Sequence, residues 1–217
     1  MTDPCPTETA WIAPRCCRLR RVLPCKQGHQ VRGRGGTQSA TWPIHAMQPE
    51  LLEVSGDDRP LVQRWLGAEH VRRYWGDPED NQHLLGVAPA AFKSAVIAVD
   101  GRKVGLIVWG HPTRRELDIA GLHDVPGSVI DIDIMIGEAD ATGRGIGSAA
   151  IRLVADRALA DPTVPYVIAA ASVENPASRR AFARAQFVED REFDDVPYGR
   201  HVLMVRRRPG CEENRHG

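Results

Sequence analysis

Residues 133–147 of this chain read Asp-Ile-Met-Ile-Gly-Glu-Ala-Asp-Ala-Thr-Gly-Arg-Gly-Ile-Gly, and they contain the clearest structural signal of the sequence. Residues 128–136 overlap the start of this stretch, and from Ile130 to Ile136 every second residue is isoleucine. The isoleucines therefore point to one face of a strand. After Gly145, apolar residues recur at helical spacing as far as Asp161-Pro162. The stretch therefore predicts a β-strand, a glycine-rich turn and an α-helix.

The turn carries three glycines, Gly143, Gly145 and Gly147, and is therefore free of Cβ atoms at three positions. Successive backbone N–H groups can approach a ligand there, and the positive end of the helix dipole favours an anion such as phosphate. Arg144 adds a mobile cation. A tight connection without a ligand is the alternative. The late position of the turn, after a hairpin, argues against the dinucleotide fingerprint, and no G-K-[ST] triplet is present to indicate a nucleotide triphosphatase.

Strands and helices on both sides of this stretch follow from equally local signals. Residues 94–99 and 103–109 are β-rich runs around Asp100-Gly101, a dipeptide typical of two-residue hairpins. Prolines and glycines in residues 110–127 predict a polar loop. The other predicted elements are a strand at 51–54, helices ending at Trp65 and Trp75, a buried strand at 166–172, a helix beginning at Asn175-Pro176, and strands at 187–193 and 201–207.

The length of 217 residues suits one domain with an appendage. Residues 1–46 carry seven basic and two acidic side chains and four of the five cysteines, with no hydrophobic period, so we expect a disordered basic leader. Met47 begins the first stretch typical of a globular domain, which also allows the leader to be an upstream translation artefact; a targeting peptide is a further alternative. We predict a domain at residues 47–208 and a flexible tail at 209–217.

Composition narrows the classes of partner. The chain has 28 lysines and arginines and 28 aspartates and glutamates, so its formal net charge is zero. This charge balance gives no indication of nucleic acid or an anionic membrane as a partner. No apolar run is long enough to span a bilayer, and the cysteines show no spacing of a metal site, so we expect no metal. We expect a cytoplasmic protein, and the sequence allows a monomer or a homodimer.

Two segments together resemble the coenzyme A-binding motifs of the GNAT superfamily of N-acetyltransferases: residues 133–147, and residues 175–187, which read Asn-Pro-Ala-Ser-Arg-Arg-Ala-Phe-Ala-Arg-Ala-Gln-Phe. The resemblance covers roughly residues 47–207, and residues 70–77 resemble the aminoglycoside 6'-N-acetyltransferases within that superfamily. It implies an α/β (α+β) fold, with a mixed, mostly antiparallel sheet of six to seven strands and about four flanking helices. The sheet would splay open at the strand that ends near Ile136.

The same resemblance implies acetyl-CoA as cosubstrate, with its pantetheine arm between the strand of Asp133 and the strand that ends near Ser172. The implied cofactor contacts are the backbone of Met135 and Ile136, the turn with Gly143, Arg144, Gly145, Gly147 and Ser148, and Asn175 and Ser178 in the second motif. Capping of a helix is the alternative role for Asn175, and an exposed polar position is the alternative for Ser178.

Asp133 matches the aspartate that the aminoglycoside enzymes use as base, and strand alternation places Asp131 on its face. Two carboxylates on one face could couple, raising one pKa and holding a cationic amine. A pair of solvated carboxylates is the alternative. Trp75 and Asp77, from the segment that resembles the aminoglycoside enzymes, complete the expected substrate contacts.

Departures from the family pattern leave three functions open. Phe182 stands where the family often has a tyrosine that protonates the thiolate, so Tyr198 or Tyr166 could take that role or no protein acid acts. Ala170 stands where the aminoglycoside enzymes often have an acidic residue. The functions are aminoglycoside 6'-N-acetylation, acetylation of another amine such as a siderophore hydroxylamine or a protein N-terminus, and an inactive coenzyme A-binding module.

Overall fold

A seven-stranded sheet organises the chain in the computed structural model, which describes residues 48–76, 78, 81, 92–195 and 199–209. The predicted leader, Asp77 and most of the predicted tail lie outside these residues. The strands are β1 (Glu50–Glu53), β2 (Phe92–Val99), β3 (Arg102–Gly110), β4 (Ile130–Ile136), β5 (Tyr166–Ser172), β6 (Val188–Asp195) and β7 (Gly199–Arg207). The helices are α1 (Arg59–Gly67), α2 (Glu69–Trp75), α3 (Arg114–Ile119), α4 (Ile146–Leu159) and α5 (Pro176–Arg184).

The strand order is β1-β2-β3-β4-β5-β7-β6, in which only β4 and β5 pair in parallel. The prediction of a mixed, mostly antiparallel sheet is confirmed. So is the hairpin between β2 and β3, whose two turn residues, Asp100 and Gly101, have φ angles of 50° and 74°. Positive φ at both positions is what a type I′ turn requires, and its twist matches that of the two strands.

The predicted loop at residues 110–127 is wrong in part, because it contains helix α3. Thr113 and Glu116 form a capping box: the Glu116 N–H donates to the Thr113 hydroxyl (3.2 Å), and the Thr113 N–H donates to the Glu116 carboxylate (2.7 Å). Leu117 is fully buried beneath the helix. The T-x-x-E spacing was the available signal, and it outweighs the prolines and glycines around it because it satisfies the first helical donors.

The two faces of β4 pack against different helices. Ile130 and Ile132 belong to the core formed with α4 and α5, whereas Met135 belongs to a second core formed with α1 and α2. The alternation of apolar residues along the strand therefore matches burial on both faces. Helix α4 covers one face of β4, and α1 and α2 cover the other. A ligand of the β4 backbone must therefore approach along the edge of the strand.

That edge is exposed because β4 and β5 separate after a short pairing. The structure pairs them at Ile130 with Val167 and Asp131 with Ile168, although the strands continue to Ile136 and Ser172. Beyond Asp131 the two strands diverge, which confirms the predicted splay. The gap between them leaves backbone N–H and C=O groups of β4 available for another partner.

The bend after β4 depends on a glycine. A Cβ atom at Gly137 would overlap the indole ring of Trp65, a fully buried residue of α1. The ring therefore lies directly on the backbone that leads into the glycine-rich turn. This contact joins α1 to the loop after β4.

We expect Gly137→Ala to lower the free energy of unfolding by about 1–3 kcal/mol, because an added methyl group must displace a buried ring. Gly56→Ala is the matched control, since a Cβ at Gly56 meets no atom within 4 Å. Urea denaturation of both variants measures the difference. Equal stability of the two variants would contradict the close Trp65 contact.

Candidate active site

A cleft of about 430 Å³ opens where β4 and β5 diverge. Its walls come from the ends of both strands, the glycine-rich turn, α5, and α2, which lies across it. The residues that line it include His70, Tyr74, Trp75, Asp133, Ile134, Ile136, Gly143, Gly145, Gly147, Ser148, Ala170, Ser172, Asn175, Ser178, Arg180, Phe182, Arg184 and His201. The structure therefore brings together residues from both predicted motifs.

The phase of the β3–β4 ladder decides which backbone groups of β4 face this cleft. The Gly137 N–H donates to the Val104 carbonyl (2.8 Å), and the Met135 carbonyl lies against Gly105 of β3. Alternation along the strand then directs the N–H and C=O of Ile134 and Ile136 away from β3, toward the gap. The expectation for Ile136 fits this phase. Met135 also lines the cleft, but its backbone points to β3, and the second residue with backbone groups toward the gap is Ile134.

His70 of α2 contacts the same edge. Its Nε2 lies 2.9 Å from the Ile136 carbonyl oxygen and must donate to it, because a carbonyl only accepts. One turn later, the Tyr74 hydroxyl donates to the Glu174 carbonyl (3.1 Å) in the segment after β5. Helix α2 is therefore hydrogen-bonded to both sides of the cleft: to the end of β4 through His70 and to the segment after β5 through Tyr74.

The glycine-rich turn has the conformation that its sequence predicts. Gly143 and Gly145 have φ angles of 71° and 84°, a region that other residues enter only with strain. Gly145 is the N-cap of α4, and no side chain caps the first turn of that helix. Its N-terminal amides remain available to an anion at the mouth of the cleft. The Arg144 side chain instead donates from Nε to the Asp140 carbonyl (2.6 Å) and does not line the cleft.

A network around Glu138 holds the segment that leads into this turn. The Glu138 carboxylate accepts from the Trp65 indole N–H (2.8 Å) and from Arg64 (2.6 Å), and it lies 3.3 Å from Arg102. Arg102 also binds Asp140 through two hydrogen bonds (2.8 and 2.9 Å). Burial raises the pKa of Glu138, but the hydrogen bonds from Trp65 and Arg64 outweigh it, and the net pKa is lowered.

Asp133 lines the cleft on the α2 side of the sheet. It lies opposite Val108 of β3, which packs in the same core as Met135. Asp131 lies two residues earlier on the same face, opposite Gly110, and does not line the cleft. Among the described residues that line the cleft, the carboxylate is that of Asp133, with Asp131 behind it along the strand.

Trp75, a predicted substrate contact, ends α2 and lines the cleft beside Tyr74, with 9% of its surface exposed. The predicted contact of Asp77 lies outside the described residues.

The second motif begins α5 with a side-chain cap. The Asn175 side chain accepts from the Ser178 N–H (3.0 Å), as the capping alternative predicts, and both residues also line the cleft. Phe182 lies one turn further along, 2% exposed, with its ring edge-on to Phe187 (5.1 Å between centroids). Its ring borders both the cleft and the core. Because this residue is a phenylalanine, the cleft has no hydroxyl at this position.

Sequence reasoning missed several polar residues of the cleft: His70, Tyr74, Thr142, Ser172, Arg180, Arg184 and His201. His201 is 3% exposed on β7, directly opposite Ser172 of β5, and its Nδ1 lies 2.9 Å from the Gly199 carbonyl. The alternation of side chains along β5 and β7 could have placed Ser172 and His201 on the cleft face. That inference also needs the register between the two strands, which the sequence does not give. Tyr166, a predicted candidate acid, begins β5 at the opposite end, with its ring beneath Arg207 (5.2 Å), and Tyr198 is not among the described residues.

Among the described residues, no three His, Cys, Asp or Glu side chains are grouped as a metal site would need. In the same part of the chain, no helix has the length and apolar character to cross a membrane.

Comparison with known proteins gives concordant relatives. The profile of the acetyltransferase (GNAT) domain family matches residues 55–195. Aminoglycoside N(6')-acetyltransferase type 1 from Klebsiella pneumoniae is 24% identical over 173 residues, which cover 76% of this chain and 86% of that protein, and the Serratia marcescens enzyme matches equally. The solved structure of AAC(6')-Ib with parmomycin and acetyl-CoA has a TM-score of 0.64 at 20% identity, covering 78% of this chain and 98% of that one. A spermidine N-acetyltransferase chimera from Vibrio cholerae and hSSAT has a TM-score of 0.56 at 14% identity, covering 74% and 95%.

The lowered pKa of Glu138 gives a test of the network around the turn. A carboxylate with a lowered folded-state pKa stabilises the fold above its unfolded pKa, about 4.3, and loses this contribution as pH falls through the folded value. We expect the stability difference between the wild type and Glu138→Gln to be largest at neutral pH and to shrink below about pH 4. Urea denaturation from pH 7 to pH 3 measures it; a difference independent of pH would contradict the ionic role of Glu138.

Proposed function

Because the chain belongs to the GNAT acetyltransferase family, we propose that it transfers the acetyl group of acetyl-CoA to a small cationic amine, specifically the 6'-amino group of an aminoglycoside, and thereby confers resistance. One observation carries the proposal: a single cleft contains the open edge of β4, the glycine-rich turn with the uncapped N-terminus of α4, and the Asp133 carboxylate. The likeness to the aminoglycoside N(6')-acetyltransferases supports the choice of acceptor.

The cofactor's pantetheine arm fits the gap between β4 and β5 chemically. Its amides can pair with the N–H and C=O of Ile134 and the N–H of Ile136, as a neighbouring strand would. The Ile136 carbonyl is already bound by His70. The first amides of α4, with Gly143 and Gly145 allowing close approach, suit the pyrophosphate. The two ends of the arm would thus be held by main-chain groups.

Asp133 is the proposed general base. The incoming amine must lose a proton before its nitrogen forms a bond to the thioester carbon, and Asp133 is the carboxylate in the cleft that can accept this proton directly or through water. As the C–N bond forms, the C–S bond breaks and the thiolate leaves. Phe182 cannot donate a proton, so water or a cleft hydroxyl protonates the sulfur.

A second candidate is the acetylation of a different amine. Ala170 lies in the cleft at the position where a carboxylate would help to hold a polycationic aminoglycoside. A siderophore hydroxylamine or a protein N-terminus needs no such second carboxylate. Turnover measured with aminoglycosides and with simple amines separates these candidates from each other and from an inactive coenzyme A-binding module.

We expect Asp133→Asn to lower kcat by about 10²–10⁴-fold, the range typical of a lost general base, with coenzyme A binding unchanged. Release of free thiol from acetyl-CoA, followed with kanamycin, tobramycin and simple amines, measures the rate. Asp57→Asn, an exposed position away from the cleft, is the control. Activity within tenfold of the wild type would remove Asp133 as the base.

The same panel decides the acceptor. Turnover on the two drugs supports the aminoglycoside proposal, and turnover on simple amines alone refutes it while keeping the acetyltransferase. Coenzyme A binding without turnover on any amine would favour the inactive module.

Asn175 allows its capping role to be separated from a cofactor contact. We expect Asn175→Asp to keep the oxygen that accepts from Ser178 and so to unfold as the wild type does, whereas Asn175→Ala loses about 1 kcal/mol. If the amide NH₂ also donates to the cofactor, the aspartate variant binds coenzyme A several-fold more weakly. Urea denaturation and titration calorimetry measure the two effects; unchanged affinity in Asn175→Asp would restrict Asn175 to capping.

A further inference from the structure

Two arginines of α5 line the outer part of the cleft. Arg180 and Arg184 are one helical turn apart, and both are exposed. Residues four apart lie on the same face of a helix, about 6 Å apart along its axis. The two guanidinium groups therefore share one side of the cleft.

The surroundings of these two arginines differ from those of their neighbour Arg179. Arg179 is bound to Glu189 by two hydrogen bonds of 2.8 Å. Within the described part of the chain, neither Arg180 nor Arg184 forms an ion pair with a carboxylate. A third cation, Arg152 of α4, donates to the Arg184 carbonyl (2.6 Å), which adds positive charge at the same place.

We propose that Arg180 and Arg184 form a subsite for the phosphate monoester on the ribose of the acetyl donor, and that this chain thereby selects coenzyme A over its 3'-dephospho form. The inference rests on the proposed function, because it concerns the same cleft. The turn at Gly143 and Gly145 offers main-chain amides to the pyrophosphate. The third phosphate of coenzyme A carries a further charge of nearly −2 and needs a separate cationic partner.

Guanidinium groups suit this role better than the backbone amides of the turn do. Their planar arrangement of donors matches phosphate oxygens in pairs of hydrogen bonds. Long side chains on the exposed face of α5 can also reach an adenosine end that lies at the surface. The structure thus separates recognition of the pyrophosphate, by backbone, from recognition of the monoester, by side chains.

Titration calorimetry of the whole chain with coenzyme A and with 3'-dephospho-coenzyme A tests the subsite without any acceptor amine. We expect the wild type to bind coenzyme A about tenfold more tightly, since two exposed ion pairs to a doubly charged group contribute a few-fold each. The double variant Arg180→Gln/Arg184→Gln should bind both ligands with the affinity that the wild type shows for the dephospho form. The preference should also narrow as the salt concentration rises.

Arg157→Gln is the matched control, because Arg157 is an exposed arginine of α4 that does not line the cleft. It should keep the full preference. Equal affinity of the wild type for the two ligands, or an undiminished preference in the double variant, would overturn the subsite and leave the proposed function intact. Equal weakening of both ligands in the double variant would also overturn it. Failure of the wild type to bind either ligand would instead refute the proposed function.

Discussion

The incomplete pairing of β4 with β5 determines where the cleft opens and which main-chain groups line it. Two paired positions, Ile130 with Val167 and Asp131 with Ile168, fix where the two strands join. Beyond them β4 still pairs with β3 but has no neighbouring strand on its β5 side. An open sheet edge in the middle of a domain is costly unless another group satisfies it. Here α2 satisfies part of it through His70. The remaining groups, on Ile134 and Ile136, are those that a cofactor arm would pair with.

The position of the glycine-rich turn follows from packing on the other side of this strand. Trp65 lies on Gly137 and binds Glu138, so α1 sets the direction in which the chain leaves β4. Arg102 of β3 then holds both Glu138 and Asp140. Glycine conformations allow the turn, but these contacts from distant segments determine where its amides point. The proposed anion site of the turn therefore depends on residues that would not contact the anion.

The sequence contains much of the fold and less of the site. The strands, the hairpin at Asp100-Gly101 and the two motif helices are set by local periodicity and turn chemistry, and their predictions are confirmed. The phase of the β3–β4 ladder is different, because it depends on how two segments meet. That phase decides that Ile134, rather than Met135, turns its backbone toward the cleft. The missed His201 belongs to the same class, since it reaches the cleft through the register of β7 with β5.

The absence of a hydroxyl at Phe182 is compatible with catalysis because the two proton transfers differ in difficulty. An alkyl amine has a pKa of about 10.4, whereas a thiol such as that of cysteine has a pKa of about 8.5. The amine is therefore almost fully protonated near neutrality and depends on a base, while the thiolate is a comparatively stable leaving group. In the proposed mechanism Asp133 is the base, on the α2 face of the sheet. Phe182 contributes its buried ring to the core with Phe187. In the proposed mechanism, the lack of a protein acid on α5 therefore costs less rate than loss of the carboxylate on β4 would.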